Sequence, residues 1–270
     1  MARQFDRRPD LRDVFGWNRT FEASDIDPEL LALLRRANAV EDVGGRLRSR
    51  VRVSSLDGEL FVHSSFPTND RDAVFFGPDT YRFVRFIRDH LNGERQPDII
   101  VDMGTGTGAG GIAAAKTLPN ASAVLVDSSE NALRFARVNA AAAGVAAEFI
   151  HDDKIPANAD LIIANPPYLM DQIGRMYRDG GDLLGGRVAL DWTEQALSRL
   201  NPGGRFLLYT GAAFRGGKAP LLDALETAAA KAGAELEVEE FDPDVFGEEL
   251  DCERYREVER IAAIGAVLRI

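Results

Sequence analysis

Residues 98–111, DIIVDMGTGTGAGG, decide the fold of this chain. Ile99, Ile100 and Val101 are consecutive β-compatible apolar residues, which predict a strand buried on both faces. The glycines that follow predict a tight loop, and the apolar segment GGIAAAKTL after them predicts a helix. A strand, a glycine loop and a helix in this order are typical of the first unit of a nucleotide-binding α/β sheet.

Strands and helices alternate from this stretch to the end of the chain. The predicted strands are DIIVDMG, SAVLVDSS, AEFIHDD, DLIIANPP, GRFLLYTG, ELEVEEFD and ERIAAIGAVLRI. The predicted helices are GGIAAAKTL, ENALRFARVNAAAAG, ALDWTEQALSRL and APLLDALETAAAKAG. This alternation predicts an α/β fold, a Rossmann-like, mostly parallel sheet covered on both faces. The last two strands, which have no helix between them, predict an antiparallel closing pair.

The region before the glycine loop has a different pattern. It contains a helix in DPELLALLRRANAV, a hairpin that turns at Asp57-Gly58, and a connecting helix in DTYRFVRFIRDHL. In RLRSRVRV, residues 46–53, arginines alternate with other residues, which predicts one strand with four guanidinium groups on one face. Such a stripe either shields an edge strand or docks an acidic protein or RNA. We predict two domains: residues 1–95, a candidate for substrate recognition, and residues 96–270, the cofactor-binding domain.

Charge and composition limit the partners. The net charge is −11, and since residues 1–95 hold 16 basic and 16 acidic residues, the excess lies in residues 96–270, with 27 acidic against 16 basic. This part should repel a phosphate backbone, so nucleic acid is a less favoured partner. No apolar run is long enough to cross a membrane, and no signal peptide pattern is seen, which predicts a cytoplasmic protein without a membrane partner. One cysteine and three dispersed histidines predict no metal site.

The glycine loop indicates which cofactor is bound. Gly106, Gly108 and Gly111 match G-x-G-x-x-G, but Asp102 at the end of the strand would repel the pyrophosphate of a dinucleotide. S-adenosylmethionine carries a sulfonium and an ammonium group and no phosphate, so it fits the loop better. The cofactor-binding candidates in this loop are Asp102, Gly104, Thr105, Gly106 and Gly108.

The next two loops add further cofactor candidates. Asp127 ends the second predicted strand about 20 residues after the glycines, where an acid accepts hydrogen bonds from ribose hydroxyls in nucleoside-binding folds. Ser128 follows as a further candidate, and both Ser128 and Ser129 are suitable helix caps. In HDDKI, either Asp152 or Asp153 could accept the adenine amino group, and Asp153 is favoured.

The fourth predicted strand ends in an unusual way, in Asn165, Pro166, Pro167 and Tyr168. The amide oxygen of Asn165 and the carbonyl of Pro166 are two acceptors that would converge on one planar NH2 group. Tyr168 would stack on the flat amide or base that carries this group. The predicted catalytic residues are therefore Asn165, Pro166 and Tyr168, and Asn165 also borders the cofactor. Methyl transfer to such a nitrogen needs aimed dipoles and in-line positioning rather than a strong base.

These segments together resemble a known family. DMGTGTGAGG, VDSSENALRFARVNA and ANPPY resemble the class I S-adenosylmethionine-dependent methyltransferases of the NPPY subgroup, most closely the HemK-type enzymes that methylate a glutamine amide of peptide chain release factors. The resemblance covers about residues 60–270. It implies cofactor contacts at Asp102, Gly104, Gly106, Asp127 and an acid of HDD, and acceptor contacts at Asn165, Pro166 and Tyr168. The family's proline-arginine-proline segment is FGPDTY here, without the arginine, and the N-terminal helical region is shorter.

Three functions follow from these observations. The first is an N-methyltransferase that acts on an amide or amino nitrogen of a protein or of a small molecule. The second is an RNA or DNA amino methyltransferase, which the arginine stripe favours and the acidic excess disfavours. The third is a cofactor-binding protein without catalytic activity, which the presence of both halves of the site disfavours.

Overall fold

The computed structural model describes residues 7–66, 68, 70–91, 96–171 and 175–270. The chain divides into two compact units, Met1–Asn69 and Asp70–Ile270. The boundary predicted from the sequence, between residues 95 and 96, was therefore placed too late. The helix Pro78–Asp89 belongs to the second unit, because Phe83, Phe86 and Ile87 are buried in that unit's core.

The described residues of the first unit form two short helical segments, Arg12–Gly16 and Ala23–Asp25, followed by one α-helix and two hairpins. Its elements are α1 (Pro28–Arg36), β1 (Val40–Val43), β2 (Arg46–Ser49), β3 (Val51–Leu56) and β4 (Glu59–Ser64). Asp27 caps α1 by accepting hydrogen bonds from the backbone of Glu29 and Leu30. The predicted hairpin is confirmed in β3 and β4, since Asp57 and Gly58 both have positive φ angles, +56° and +85°, as a tight two-residue turn requires.

The single arginine-bearing strand predicted for residues 46–53 is wrong. It breaks at Arg50, so that β2 pairs with β1 and β3 pairs with β4. The break has a local cause, because the Ser49 hydroxyl exchanges hydrogen bonds with the backbone N–H and C=O of Val51. The four guanidinium groups are engaged within the unit: Arg46 with Glu22, Arg48 and Arg50 with Glu41, and Arg52 with the carbonyl of Gly16.

The second unit is a seven-stranded sheet with helices. Its helices are α2 (Pro78–Asp89), α3 (Ala109–Thr117), α4 (Glu130–Ala142), α5 (Arg187–Arg199) and α6 (Pro220–Ala232). Its strands are β5 (Ile99–Met103), β6 (Ser122–Asp127), β7 (Ala147–His151), β8 (Ala159–Ala164), β9 (Leu200–Phe214), β10 (Glu235–Asp242) and β11 (Arg260–Arg269). Two short helical segments, Gly247–Asp251 and Glu253–Tyr255, precede β11.

The strand order places the loops that matter next to each other. The order is β10-β11-β9-β8-β5-β6-β7, with parallel pairing from β9 to β7 and antiparallel pairing of β11 with both β9 and β10. This confirms the predicted Rossmann-like sheet and its antiparallel closing pair. After β5 the chain forms β6 on one side of β5, and it later forms β8 on the other side of β5. The switch in strand order therefore lies between β5 and β8, where α/β sheets bind ligands.

The core explains why these strands are continuously apolar. Ile100, Leu161 and Leu207 face one buried cluster, while Val101, Ile162 and Phe206 face another on the opposite side of the sheet. Strands covered on both faces need apolar residues at successive positions. Within the described ranges, no helix is long and apolar enough to span a bilayer.

Candidate active site

The pairing register brings three predicted loops to one edge of the sheet. Met103 is paired with Val126 on one side and with Ala164 on the other. The next residue of each strand is Gly104, Asp127 or Asn165, so the three follow at the same level. Since neighbouring strands lie about 4.8 Å apart, Asp127 and Asn165 flank the start of the glycine loop. The expectation that these loops share one site agrees with this register.

The glycine loop adopts a conformation that only glycine accepts readily. Gly104, Gly106 and Gly108 have φ angles of +68°, +54° and +82°. The backbone N–H groups of Gly104 and Thr105 both donate to the carbonyl of Val126, which holds the loop against β6. Gly104 and Gly106 are half-exposed, whereas Thr105 and Gly108 are buried. Backbone atoms thus form the open surface of the loop.

Asp102 is buried beneath this loop. Its Oδ2 accepts hydrogen bonds from the Thr105 hydroxyl at 2.6 Å and from the Gly111 N–H at 2.8 Å. Burial raises the pKa of Asp102 to about 7, and the hydrogen bonds from Thr105 and Gly111 oppose that rise. The structure therefore gives Asp102 a role in shaping the loop. Its predicted attraction for a cationic ligand stays a prediction.

Asp127 connects the glycine loop to the start of α4. Its Oδ2 accepts from the N–H of Gly106 at 2.9 Å, and its Oδ1 accepts from the N–H of Ser129 at 2.9 Å. Burial raises the pKa of Asp127, and these two backbone donors oppose the rise. Each carboxylate oxygen keeps a second lone pair for a ribose hydroxyl. Ser129 is the cap of α4, accepting from the N–H of Ala132, while Ser128 is exposed.

The two acids of HDD differ in the structure. Asp152 accepts hydrogen bonds from the backbone of Asp153 and Lys154, so its carboxylate shapes the turn after β7. The Asp153 carboxylate is exposed and accepts no hydrogen bond from the described part of the chain. Asp153 is therefore the better placed of the two for an adenine amino group, and that role stays a prediction.

The predicted acceptor groups lie directly after β8. The side chain of Asn165 is half-buried and makes no hydrogen bond within the described ranges. Pro166 is buried, and no backbone N–H among the described residues donates to its carbonyl. Two acceptors without partners in the described ranges thus follow each other directly after β8, with Asn165 at the level of Gly104. This arrangement suits a ligand that brings its own N–H donors.

Tyr168 is more constrained than the sequence indicated. Tyr168 is only 8% exposed, and its ring lies against Gly211 and Phe246. Its hydroxyl donates to the buried carboxylate of Asp79 at 2.5 Å, and Tyr209 donates to the other oxygen of Asp79 at 2.9 Å. Burial, together with the nearby Asp79 charge, raises the pKa of Tyr168 well above its ordinary value. The predicted stacking of Tyr168 on an acceptor stays a prediction.

Sequence reasoning missed several residues around the site. Asp79 lies in the FGPDTY segment, but neither it nor Tyr209 was a candidate site residue, because an acid in the first turn of a helix and a tyrosine in a strand are both ordinary. Trp192 of α5 covers Gly104, since a Cβ on Gly104 would be 2.4 Å from its Cη2 atom. Phe75 and Tyr177 stack with ring centroids 5.8 Å apart and an interplanar angle of 4°. A ring pair of this kind has no local sequence signal.

The segment before α2 joins the two halves of the site. The Asn131 side chain, at the start of α4, donates to the carbonyl of Asp72, and the N–H of Met176 donates to the carbonyl of Arg71. Residues 70–77 thus connect the region after Asp127 with the loop that follows Tyr168. Phe75 is 36% exposed, so part of the stacked pair faces outward.

The segment between β10 and β11 braces the loop after Tyr168. The hydroxyl of Tyr255, which is buried, accepts from the N–H of Met170 at 2.7 Å. Arg254 donates to the carbonyl of Met170, and Arg178 pairs with Glu249. These contacts hold the backbone that leaves the predicted acceptor site.

The residues fit S-adenosylmethionine on two observations. A Cβ added to Gly106 would meet only the Gly104 carbonyl oxygen at 4.0 Å, so this face of the loop is open to a ligand. The loop offers carboxylates and backbone groups, and residues 104–111 contain no lysine or arginine to neutralise a pyrophosphate. Together with the strand order, these loops define a class I methyltransferase.

Comparison with known proteins assigns the family. The model of the Methyltransferase small domain family matches residues 83–233, and the chain belongs to this family. This membership confirms the expected enzyme class, a methyltransferase that uses S-adenosylmethionine.

One curated relative and two solved structures are similar to this chain. A release factor glutamine methyltransferase of Deinococcus radiodurans is 31% identical over 173 residues, which are 62% of this chain and 60% of that protein. The chain thus spans less than two thirds of this relative's length. Trm5b of Pyrococcus abyssi has a TM-score of 0.56 at 19% identity, covering 85% of this chain and 62% of that one. M. jannaschii TYW2, solved in complex with AdoMet, has a TM-score of 0.54 at 14% identity, covering 82% and 87%. Both structures share the fold.

Proposed function

We propose that this protein transfers a methyl group from S-adenosylmethionine to the side-chain amide nitrogen of a glutamine in a protein, with a release factor as the acceptor. One observation carries the proposal. Asn165 and the Pro166 carbonyl are two adjacent acceptors without partners in the described ranges, and they follow β8 at the level of Gly104. A primary amide has two N–H donors in one plane, which is the complement of these acceptors.

The chemistry needs little from the protein beyond orientation. The cofactor, when bound, supplies an electrophilic methyl group on a sulfonium. The lone pair of an amide nitrogen is delocalised, so Asn165 and Pro166 would aid attack by stabilising the positive charge that develops on the nitrogen. They would also direct the nitrogen toward the glycine loop, where Gly104, Asp127 and Asp153 would hold the cofactor. Water or a neighbouring acceptor takes the proton that the nitrogen loses.

The relative of Deinococcus radiodurans supports glutamine as the acceptor, because its name states that substrate and its similarity covers 62% of this chain. An exocyclic amino group of RNA or DNA presents the same planar donors, and this is the second candidate. The arginine residues that favoured it, Arg46, Arg48, Arg50 and Arg52, are engaged within the first unit. The acidic excess of residues 96–270 also disfavours nucleic acid.

We also propose that residues 1–69 help to recognise the acceptor protein and that the enzyme works in the cytoplasm, where release factors act. Deletion of residues 1–69 would then raise KM for the release factor and leave the affinity for the cofactor unchanged. Loss of cofactor binding in a folded truncated protein would contradict this division of roles.

Transfer of labelled methyl groups tests the proposal. The purified protein is incubated with methyl-labelled S-adenosylmethionine and, in separate reactions, with unmethylated release factor, unmodified RNA, duplex DNA and free glutamine. We expect label in the release factor alone, located by peptide mass spectrometry on one glutamine. Label in RNA or DNA would establish the second candidate. Cofactor binding without transfer to any acceptor would favour a non-catalytic protein.

A further inference from the structure

A buried carboxylate links α2 to the predicted acceptor site. Asp79, in the first turn of α2, is 6% exposed and accepts hydrogen bonds from Tyr168 at 2.5 Å and Tyr209 at 2.9 Å. Arg82, one turn further, lies 3.3 Å from Asp79 and 2.7 Å from Asp242 of β10. These donors compensate the cost of burying the charge. The buried carboxylate therefore holds the hydroxyl of Tyr168, a residue 89 positions later in the sequence.

The ring of Tyr168 is held on three sides. Gly211 of β9 leaves room for the ring, because a Cβ at Gly211 would be 2.2 Å from the Cδ2 atom of Tyr168. The ring of Phe246 lies at 61° to the Tyr168 ring, with the two centroids 5.9 Å apart. Asp79 fixes the hydroxyl end. These three contacts restrict the position of the ring.

The two prolines transmit this position to the acceptor groups. Proline fixes φ, so Pro166 and Pro167 leave few backbone rotations between Tyr168 and Asn165. A shift of Tyr168 would therefore also displace the Pro166 carbonyl, because few backbone torsions between them can compensate for it. Misplacement of a reacting group by about 1 Å costs on the order of 100-fold in rate.

We propose that Asp79 is a positioning residue: by holding the Tyr168 hydroxyl, it sets the direction of the Pro166 carbonyl and the Asn165 amide toward the acceptor nitrogen. Asp79 is buried and is bonded to the Tyr168 hydroxyl, so in this proposal it acts through Tyr168. The inference rests on the proposed function, since it assigns Asn165 and Pro166 to the acceptor amide.

Tyr209 supplies a matched control. It donates to the same carboxylate through the other oxygen, but its backbone lies in β9, outside the segment 165–168 that carries the predicted acceptor groups. If Asp79 only stabilised the fold, loss of the hydrogen bond from either tyrosine would have the same effect on activity. If Asp79 positions Tyr168, loss of the hydrogen bond from Tyr168 lowers kcat, whereas loss of the hydrogen bond from Tyr209 lowers only the stability of the protein.

The first experiment compares Asp79→Asn, Tyr168→Phe, their double variant and Tyr209→Phe in methylation of release factor. We expect Asp79→Asn and Tyr168→Phe each to lower kcat by about 10- to 100-fold with an unchanged Kd for the cofactor. The double variant should be no slower than the slower single variant, because both act through one hydrogen bond. Tyr209→Phe should lower Tm and keep kcat. Equal losses of kcat in the two tyrosine variants, or multiplied losses in the double variant, would overturn the proposal.

A second experiment needs no acceptor. The side-chain amide signals of Asn165 are observed by NMR in protein labelled with 15N-asparagine and are assigned by their loss in Asn165→Ala. We expect these signals to shift in Asp79→Asn and Tyr168→Phe and to stay in place in Tyr209→Phe. If the wild-type protein leaves release factor unmethylated, the proposed function fails while this measurement still tests the positioning. Unchanged signals in all three variants would refute it.

Discussion

The ring of Tyr168 lies against Gly211 so closely that a Cβ on Gly211 would be 2.2 Å from its Cδ2 atom. Glycine is thus required at this position of β9 for Tyr168 to occupy its place beside the predicted acceptor site. The contact connects the central sheet to residues 165–168, so a strand residue without a side chain determines where the Tyr168 ring can lie.

Gly211→Ala should therefore displace Tyr168 and destabilise the second unit. Overpacking in a closed core costs about 1–3 kcal/mol, which urea unfolding measures. Methylation activity should fall with it, because Tyr168 cannot keep its hydrogen bond to Asp79. Gly247→Ala is the control, since its Cβ would meet only Asp244 at 3.7 Å. Equal stability of the two variants would contradict the packing around Gly211.

The glycine loop gives a second prediction. Gly104→Ala places a Cβ 2.4 Å from Trp192 and forces a residue with a side chain into φ +68°. We expect the Kd for S-adenosylmethionine, measured by calorimetry, to rise by at least about 10-fold, a loss of roughly 1.4 kcal/mol.

The control for Gly104→Ala is Gly144→Ala. Gly144 has the same φ angle of +68°, but its Cβ would have no atom within 4 Å. Both variants carry the strain of a left-handed residue, roughly 1–2 kcal/mol, so both should be less stable. Only Gly104→Ala should lose affinity for the cofactor. Similar affinities in the two variants would show that the surface at Gly104 does not bind it.

Asn165 is the test of the acceptor site. Asn165→Ala removes one of the two acceptors and should lower kcat by about 10²- to 10³-fold, as the loss of one aimed dipole does in other enzymes. Calorimetry should give an unchanged Kd for the cofactor. Asn201→Ala is the control, because Asn201 lies at the start of β9, at the opposite edge of the sheet, and binds Asn158 and Asp160. If Asn165→Ala also abolished cofactor binding, the assignment of Asn165 to the acceptor would be wrong.

The sequence predicted the sheet because each strand is covered on both faces and is therefore apolar throughout. It also predicted that the loops with Gly104, Asp127 and Asn165 follow parallel strands of one sheet, and the register places them at one edge. It failed at Arg50, where hydrogen bonds between Ser49 and Val51 end a strand whose alternation continues. Alternation with a period of two indicates on which face of a sheet each side chain lies. It does not indicate which strand pairs with the segment.

The contact between Asp79 and Tyr168 could not be predicted for a related reason. An acidic residue in the first turn of a helix is explained fully by the helix dipole, so it indicates no partner. Its contact with Tyr168 depends on how α2 packs on the sheet, across 89 residues of sequence. The same holds for Trp192 on Gly104 and for the stacking of Phe75 on Tyr177. Tertiary packing creates these contacts, and local patterns do not contain them.

Asp102 predicts how stability depends on pH. Burial raises its pKa from 3.8 to about 7 in the folded protein, so the folded state binds the proton more tightly than the unfolded chain. The stabilising contribution of the neutral carboxyl is complete below pH 3.8 and is lost as the pH rises toward about 7. Asp102→Asn keeps an oxygen that accepts from Thr105 and Gly111 but cannot ionise. The free energy of unfolding of the variant, minus that of the wild type, should therefore increase between about pH 4 and pH 7 and level off above it. Denaturant unfolding at a series of pH values measures this difference, and subtraction removes the contribution of the other acids. A difference that is constant with pH would mean that Asp102 ionises as readily in the folded protein as in the unfolded chain.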